Sequence, residues 1–341
     1  MNSEKKSGVV VVLGTGGTIA GVSDSGDDRA YRAAQLGVDQ LVAAVPALAA
    51  WPLEAHQVAQ IDSKDMAWPV WRALLQALQI HLARMDVAGI VVTHGTDTLE
   101  ETALLLHLLL PPLKPVVLTA AMRPATSPQA DGPANLLNAV RAASALAAKP
   151  LATGGMAGLV SVMMAGHLWA ASDLRKVHSR HIDAFDGGEA QALARVAEDG
   201  ALAWSEQGHW RPSQGWLSEA LLALPALPRV EIVTSHADAD GMLVDALLTH
   251  SRPAGLVVAC TGNGTVHERL HEALERAHAQ GVAVWRSTRA ARGGVACGPQ
   301  DFWPSAGTLT PAQARLALSL ALARQPDLAR QPWERWPAAR G

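Results

Sequence analysis

The chain has 341 residues, of which 49% are apolar and 17% are charged, so it can bury a large core and is not intrinsically disordered. Its formal net charge is −3 with both signs interspersed, which excludes a basic surface for nucleic acid and a polybasic membrane-binding segment. Two cysteines, Cys260 and Cys297, are too few for a disulfide framework, so we expect a reducing, cytoplasmic environment. No run approaches the roughly 20 apolar residues of a membrane span, so we expect a soluble protein.

Short apolar runs recur along the chain with helical segments between them. They cover residues 9–13, 89–92, 116–119, 159–164, 230–233, 256–259 and 282–285. Each is nearly continuous in valine, isoleucine or leucine, a pattern typical of parallel strands that helices cover on both faces. The first run is too short for the apolar part of a signal peptide, so we interpret it as the first core strand. The sequence therefore predicts the α/β class.

Two predicted helices carry capping signals at their starts. Thr98 followed by Glu101 predicts a capping box for a helix that ends at Pro111. Thr310 followed by Gln313 predicts a second capping box, with a proline in the first turn of the helix. Both helices therefore have defined starting points in the sequence.

The composition changes between residues 207 and 228, where Trp, Pro, Ser and Gly replace the strand and helix pattern. A new series of strands and helices begins at Val230. We therefore predict an N-terminal α/β domain at residues 1–206, a linker at 207–228 and a C-terminal α/β domain at 229–341. We expect the tail after Ala323, which contains Trp333 and Trp336, to pack on the surface or on a neighbouring subunit.

The first predicted strand ends in a glycine turn, and its sequence GGTIAGVS at residues 16–23 has the glycine spacing of a phosphate-binding loop. Val22 stands where that motif needs a lysine, and Ile19 stands where a dinucleotide-binding turn needs its last glycine. A nucleotide site is therefore disfavoured. Two threonines remain in the turn, Thr15 and Thr18, and taken alone they are best interpreted as capping residues.

A second predicted strand also ends in a tight turn that contains threonines. The segment GIVVTHGTDTLEE at residues 89–101 is a strand followed by a tight turn in which His94 and Asp97 flank Thr96. In an open parallel sheet, the loops that follow neighbouring strands face one crevice. Thr18 and Thr96 could therefore meet across a bound molecule.

The sequences of the two turns, taken together, are similar to a known pair of motifs. TGGTIA at residues 15–20 and THGTDT at 93–98 resemble the two signature motifs of the bacterial L-asparaginase and glutaminase-asparaginase family. The resemblance extends over nearly the whole chain through AMRPATS at 121–127, ADGPANL at 130–136, GNG at 262–264 and AGTLTP at 306–311. It implies a larger N-terminal flavodoxin-like catalytic domain with a parallel sheet and a smaller C-terminal Rossmann-like domain. It also implies a homo-oligomer, an intimate dimer or a dimer of dimers, without a cofactor or a metal.

The activity that the resemblance implies is hydrolysis of L-asparagine to L-aspartate and ammonia through an acyl-threonine. Thr18 would be the nucleophile, because a threonine hydroxyl becomes reactive when a neighbour accepts its proton. Tyr31, the only tyrosine in the chain, falls where the family has a supporting tyrosine, although it could also be a packing residue. Thr96, Asp97 and Lys176 would form a second cluster, in which Thr96 activates water for deacylation. Burial lowers and a neighbouring carboxylate raises the pKa of a lysine, so the sequence leaves the protonation of Lys176 open.

The resemblance also supplies the residues expected around a free amino acid, which are Ser63, Lys64, Gly95, Thr96, Asp97, Ala121 and Asn263. Asp97 would bind the α-ammonium, Ser63 the α-carboxylate, and Asn263 would reach across to a neighbouring subunit. Lys64 departs from the Gln or Glu of better-known members, and its charge would repel the substrate ammonium unless it turns toward a carboxylate. Segment 286–302 lacks the acidic residue that a neighbouring subunit contributes in several members. Weak glutaminase or D-asparagine activity is therefore less expected than L-asparagine hydrolysis.

Two other functions compete with this interpretation. HERLH at residues 267–271 matches the zinc-peptidase motif H-E-x-x-H, with Glu275 or His278 as a further ligand. Against it, the apolar positions of the same helix place both histidines on its flank. The other alternative is a scaffold that keeps the fold without catalysis.

Overall fold

The computed structural model describes residues 8–24, 28, 30–111, 113–148, 158–208, 211–298 and 301–339. The chain divides into two compact units, Met1–Leu217 and Ser218–Gly341. In both units strands alternate with helices, which confirms the predicted α/β class.

Within its described residues, the first unit has ten strands. They are β1 (Val9–Gly16), β2 (Leu53–Ile61), β3 (Val87–Thr93), β4 (Val116–Thr119), β5 (Val160–Met164), β6 (His167–Ala170), β7 (Arg175–Lys176), β8 (Phe185–Asp186), β9 (Ala194–Val196) and β10 (Leu202–Trp204). Eight of them form one sheet in the order β10-β9-β6-β5-β4-β3-β1-β2, and β7 pairs with β8 alone. The five strands from β1 to β5 are parallel, whereas β6, β9 and β10 add an antiparallel extension. The parallel order 2-1-3-4-5 is the flavodoxin-like one.

In the described part of this unit, four α-helices cover the sheet: α1 (Val38–Ala43), α2 (Trp68–Ala83), α3 (Leu99–Leu109) and α4 (Gly132–Ala148). Helices α1 and α4 share a buried cluster with alternate residues of β1, β3 and β4. Helices α2 and α3 pack against β2, β3 and β5. Thr98 is the N-cap residue of α3, but the predicted capping box is wrong, because its side chain accepts no capping bond. Its hydroxyl instead donates to the carbonyl oxygen of Ser63 at 2.9 Å.

The last residues of the first unit, 213–217, are hydrogen-bonded to the rest of that unit. The backbone N–H groups of residues 214–217 donate to the four carbonyls of residues 107–110, at 2.8–3.1 Å. The last four carbonyls of an α-helix have no hydrogen-bond donor within the helix. Residues 107–110 are the C-terminal end of α3, so segment 214–217 supplies the missing donors. This segment of the predicted linker therefore completes the hydrogen bonding of a helix.

The second unit is a three-stranded parallel sheet with helices on both sides. Its elements are α5 (Glu219–Leu222), β11 (Val230–Thr234), α6 (Met242–His250), β12 (Gly255–Cys260), α7 (Glu268–Ala279), β13 (Ala283–Thr288) and α8 (Pro311–Arg324). The strand order is β11-β12-β13, joined by α6 and α7, while α8 packs on all three strands. The capping box of Thr310 and Gln313 is confirmed, with both reciprocal bonds present.

The tail after Ala323 packs on the second unit through its tryptophans, while charged residues such as Asp327, Arg330 and Glu334 stay exposed. Trp333 and Trp336 are buried, and the Trp336 ring packs edge-on against Trp285, with ring centres 5.1 Å apart. Trp285 Nε1 donates to the carbonyl of Ala329 at 2.8 Å. The two tryptophans of the tail therefore anchor it on this unit. In the part of the chain that the structure describes, no helix combines the length and the apolar character of a membrane span.

Candidate active site

The site begins where β1 and β3 end. These strands are neighbours in the sheet although β2 lies between them in the chain, so the strand order reverses there, and ligands of open α/β sheets bind at such points. Gly14 and Thr93 are paired in register, and Thr15 Oγ1 donates to the Thr93 carbonyl at 2.9 Å. The turns that carry Thr18 and Thr96 therefore leave the sheet side by side.

The two turns are in direct backbone contact through glycines. Gly17 has φ +83°, a left-handed conformation that side chains rarely adopt. A Cβ on Gly17 would lie 2.4 Å from both Cα and N of Gly95, which leaves no room for one. The residue before Thr18 thus touches the residue before Thr96. This contact requires glycine at both positions.

Thr18 is buried and forms a pair with Tyr31. Its Oγ1 lies 2.7 Å from the tyrosine hydroxyl, and either oxygen could be the donor. The Tyr31 segment is held by an antiparallel bridge between Val22 and Arg32. Gly21 lets the tyrosine ring approach, because a Cβ there would lie 2.8 Å from the ring. The only tyrosine of the chain is therefore aimed at the threonine of the first turn.

Lys176 joins the residues of the second turn. Its Nζ donates to Thr96 Oγ1 at 3.0 Å and to Asp97 Oδ1 at 2.7 Å. The Lys176 side chain is mostly buried, whereas the Asp97 side chain is 56% exposed and can meet a ligand. The backbone N–H of Lys176 donates to Glu100 on α3 at 2.7 Å, which fixes strand β7 against this helix.

Ser63 ties a third segment to the second turn. The backbone N–H of Asp97 donates to Ser63 Oγ at 3.2 Å, and Thr98 binds the Ser63 carbonyl. A Cβ on Gly95 would lie 2.5 Å from Ser63 Oγ, so Gly95 is enclosed by this serine as well as by Gly17. Ser63 itself is 2% exposed.

Lys64 turns toward carboxylates. Its Nζ lies 2.6 Å from Asp65 and 3.5 Å from Asp62. The hydrogen bond with Asp65 is the main reason why the pKa of Lys64 is raised. The side chain is well exposed, so this pairing balances its charge in solvent.

The other two predicted residues lie on different elements. Ala121 follows β4, is fully buried, and precedes a turn in which Asp131 accepts the N–H groups of Met122 and Arg123. Asn263 lies in the second unit, where its Oδ1 accepts the Ala296 N–H at 2.8 Å. The structure therefore brings Thr18 and Tyr31 together, and Ser63, Gly95, Thr96, Asp97 and Lys176 together, across the contact of Gly17 with Gly95.

Segment 286–302 contains one acidic side chain, Asp301, and it is already paired. Its carboxylate lies 2.6 Å from the Arg286 guanidinium, which is buried, and accepts the Gly298 N–H. These two bonds, that of Gly298 first, lower the pKa of Asp301.

His94 is a further residue of this site, to which the sequence alone assigns no function. Its ring is completely buried and hydrogen-bonded at both nitrogens. Burial lowers its pKa to about 4. The available signal was a histidine placed directly after an apolar strand, where an unpaired polar ring would be costly.

One group of side chains in the described regions has the composition of a metal site. Glu54, His56 and His81 have ligand atoms within 4.8 Å of one another. Arg84 donates to both Glu54 oxygens at 2.6 and 2.8 Å, and its Nη1 lies 3.3 Å from His81 Nδ1. The bond with Arg84 is the main cause that lowers the pKa of Glu54 to about 2. A metal ion would have to displace this guanidinium, so we interpret the group as an ion-pair network.

The HERLH segment does not place two imidazoles on one helical face. His267 is the N-cap residue of α7, outside the helix, and its Nδ1 accepts the Arg269 N–H. His271 lies within the helix, 3.5 Å from Glu275, and packs on Trp303. The imidazole of His267 is thus used in helix capping.

Comparisons with known proteins agree with this architecture. The family model "Asparaginase, N-terminal" matches residues 9–208, and "Glutaminase/Asparaginase C-terminal domain" matches residues 229–331. The chain is 34% identical to "Probable L-asparaginase periplasmic" of Haemophilus influenzae over 93% of its length and 89% of the relative. It is 35% identical to "Glutaminase-asparaginase" of Acinetobacter glutaminasificans, over 93% and 96%. The crystal structure of "Probable Cytoplasmic L-asparaginase from Campylobacter jejuni" has a TM-score of 0.84 and 33% identity, covering 95% of this chain and 98% of that one. The chain therefore belongs to the asparaginase family and has its two-domain fold.

Proposed function

We propose that the protein is an L-asparaginase that hydrolyses L-asparagine to L-aspartate and ammonia through an ester on Thr18. The observation that carries this proposal is the pair of clusters on either side of the contact between Gly17 and Gly95. One cluster contains the hydroxyls of Thr18 and Tyr31, 2.7 Å apart. The other contains Lys176 bonded to both Thr96 and Asp97. The relatives named above support the choice of an amide as substrate.

In the acylation step, Thr18 Oγ1 attacks the side-chain carboxamide carbon. The hydroxyl proton passes to the Tyr31 oxygen, and the proton of Tyr31 passes to the departing nitrogen, which leaves as ammonia. Because Tyr31 gains one proton and gives one away, it is neutral again after the acylation step. The negative charge on the carboxamide oxygen is stabilised by the backbone N–H of Thr96. The product is an aspartyl ester of Thr18.

In the deacylation step, water attacks the ester carbon and gives one proton to Thr96 Oγ1, while the Thr96 hydroxyl proton passes to the unprotonated amine of Lys176. The bond between the carbonyl carbon and Thr18 Oγ1 then breaks, the proton held by Thr96 and Lys176 returns to Thr18, and aspartate leaves. Asp97, which accepts a hydrogen bond from Lys176 Nζ, keeps this amine directed at Thr96 Oγ1. Each turnover consumes one water molecule and restores the enzyme.

Asp97 and Ser63 are the groups that we propose for the amino-acid end of the substrate. The exposed carboxylate of Asp97 binds the α-ammonium. Ser63 Oγ uses a lone pair to accept the Asp97 N–H, so its hydroxyl hydrogen is the part that binds the α-carboxylate. The pairing of Lys64 with two carboxylates weakens its repulsion of the ammonium. L-Glutamine is longer by one methylene, a difference worth roughly 10- to 200-fold in kcat/KM, so we propose that it is a weak substrate. D-Asparagine has the opposite configuration at Cα and cannot place its ammonium, carboxylate and carboxamide on the same three partners, so we propose that it is weak as well.

The test is ammonia release from L-asparagine, D-asparagine and L-glutamine, measured with and without a chelator. We expect turnover of L-asparagine that the chelator does not change. Thr18→Ala should lose at least about 10⁴-fold in kcat, because it removes the nucleophile. Thr249→Ala is the matched control, since its exposed hydroxyl bonds only within α6, to Asp245. Intact-mass analysis of the acid-quenched reaction should show an aspartyl adduct in the control and none in Thr18→Ala.

Three outcomes would contradict the proposal. Full activity of Thr18→Ala would exclude the acyl-threonine. Peptide cleavage that a chelator abolishes would favour a metal-dependent peptidase. Binding of L-asparagine without turnover would favour a scaffold.

We further propose a cytoplasmic homo-oligomer, a dimer or a tetramer built from dimers. The two cysteines are free in the structure, which fits a reducing compartment. Light scattering coupled to gel filtration should give a mass of two or four chains. Fractionation of the native host tests the location, and recovery in a periplasmic fraction would refute it.

A further inference from the structure

A directed chain of hydrogen bonds runs from α2 through α3 to the second turn. Trp71 Nε1 donates to Thr102 Oγ1 at 2.8 Å, Thr102 Oγ1 lies 3.0 Å from His94 Nε2, and His94 Nδ1 lies 2.7 Å from the Gly95 carbonyl oxygen. All three side chains are buried.

The direction of each hydrogen follows from the chemistry of the two ends. The Gly95 carbonyl only accepts, so His94 carries its proton on Nδ1. The indole N–H of Trp71 only donates, so the Thr102 hydroxyl has its own hydrogen left for Nε2. His94 is therefore a neutral Nδ1–H tautomer, and the low pKa that burial gives it agrees with this state.

The bond to Gly95 sets the orientation of the peptide that follows. A trans peptide is planar, and its C=O and N–H groups point in opposite directions. Since the Gly95 oxygen is held against the buried His94 ring, the N–H of Thr96 in the same peptide points away from that ring. This is the N–H that stabilises the oxyanion in the proposed acylation step.

We propose that His94 is a positioning residue, which holds the peptide between Gly95 and Thr96 so that the Thr96 N–H faces the carboxamide oxygen of the substrate. Trp71 and Thr102 support it by fixing the tautomer and the plane of the ring. This inference rests on the proposed function, because it assigns a means of orienting that function's oxyanion donor. His94 touches no reacting atom and acts only through the backbone.

The test compares three substitutions that keep different parts of the imidazole. In His94→Asn the amide nitrogen replaces Nδ1 and can still donate to Gly95. In His94→Gln the amide lies near the position of Nε2, toward Thr102, and in His94→Leu no polar atom remains. We expect kcat to fall by about 10-fold or less in His94→Asn. The two others should lose about 10²-fold or more, the scale of a lost oxyanion donor, with KM within about threefold.

His107→Leu is the matched control, because His107 is another buried histidine of the same unit. It should lose stability while its kcat stays near the wild-type value. Equal kcat losses in His94→Asn and His94→Leu, or losses that follow the melting temperature across all four variants, would overturn the positioning role. Absence of ammonia release by the wild-type protein would instead refute the proposed function.

If His94→Leu does not fold, Thr102→Val provides a second test. It removes the donor to Nε2 but leaves the bond to Gly95, so we expect a smaller kcat loss than in His94→Gln. In ¹⁵N-histidine spectra, the wild-type signals that are missing in His94→Asn should show the Nδ1–H tautomer, and Thr102→Val should change their Nε2 shift. An Nε2–H tautomer for these His94 signals would refute the proposal directly.

Discussion

Replacing Gly17 by alanine tests the contact on which the whole site depends. The new Cβ would lie 2.4 Å from two backbone atoms of Gly95, and neither atom can move without displacing the second turn. The conformation of Gly17, φ +83° and ψ −172°, is one that only glycine adopts readily, so alanine adds about 1–3 kcal/mol of backbone strain. Overpacking adds about 1–3 kcal/mol more. The sum of about 2–6 kcal/mol is a large part of the free energy of unfolding of most proteins.

Gly166→Ala is the matched control in the same unit. Gly166 has φ +74°, but the nearest atom to its added Cβ, in Val196, is 4.0 Å away. It should therefore show only the strain of a left-handed residue, about 1–2 kcal/mol. The lower chain entropy of the unfolded state applies to both variants and cancels in their difference.

The assay is urea denaturation followed by circular dichroism, with ammonia release measured on the same samples. We expect Gly17→Ala to be less stable than Gly166→Ala by at least about 1–3 kcal/mol, and to lose most of its activity. If Gly17→Ala were as stable and as active as the control, the two turns would not be in contact, and the reasoning about the site would fail.

Three more predictions concern single groups. Lys176→Met should lower kcat by about 10²–10⁴-fold, because Thr96 loses its proton-transfer partner, and a fall in kcat below tenfold in steady-state assays would speak against that role. Burial lowers the pKa of His94 to about 4, from 6.5 for an exposed histidine, so the unfolded chain binds a proton in a pH range where the native state does not. This group should therefore lower the wild-type free energy of unfolding by about 3 kcal/mol as pH falls from 6.5 to 4, and urea titrations at each pH should show that His94→Asn lacks this part of the decrease. Thr310→Ala should destabilise the second unit by about 0.5–2 kcal/mol, because it breaks the capping box of α8, and an unchanged urea midpoint would contradict this.

The main strands could be predicted because burial on both faces leaves a clear trace in the sequence. The runs predicted from 9–13 to 282–285 are confirmed as β1, β3, β4, β5, β11, β12 and β13. The sequence does not predict strand β2, because it is the edge strand and mixes a half-buried Glu and exposed His and Gln with apolar residues. Strands β6 to β10 contain two to four residues each, too few for a periodic pattern.

The candidate site was predicted only in part by local pattern. Position after a strand singled out Thr18 and Thr96, but Lys176 is 80 residues from Thr96 and was identified by resemblance alone. Hydrogen bonds over such separations depend on the tertiary fold. The capping interpretation of Thr98 failed for the same reason, because the carbonyl of Ser63, 35 residues away, competes for its hydroxyl.

The hydrogen bonds of residues 214–217 to the end of α3 also determine where the first unit can be shortened. A fragment that stops before residue 213 would leave four carbonyls at the end of that helix without their N–H donors, next to leucines that are otherwise buried. Its last turns would fray, and the loosening would spread toward Glu100, which holds the Lys176 strand at the other end of the same helix. A segment more than 100 residues beyond the Thr96 turn thus sets the minimum length of a fragment in which that turn and Lys176 keep their arrangement.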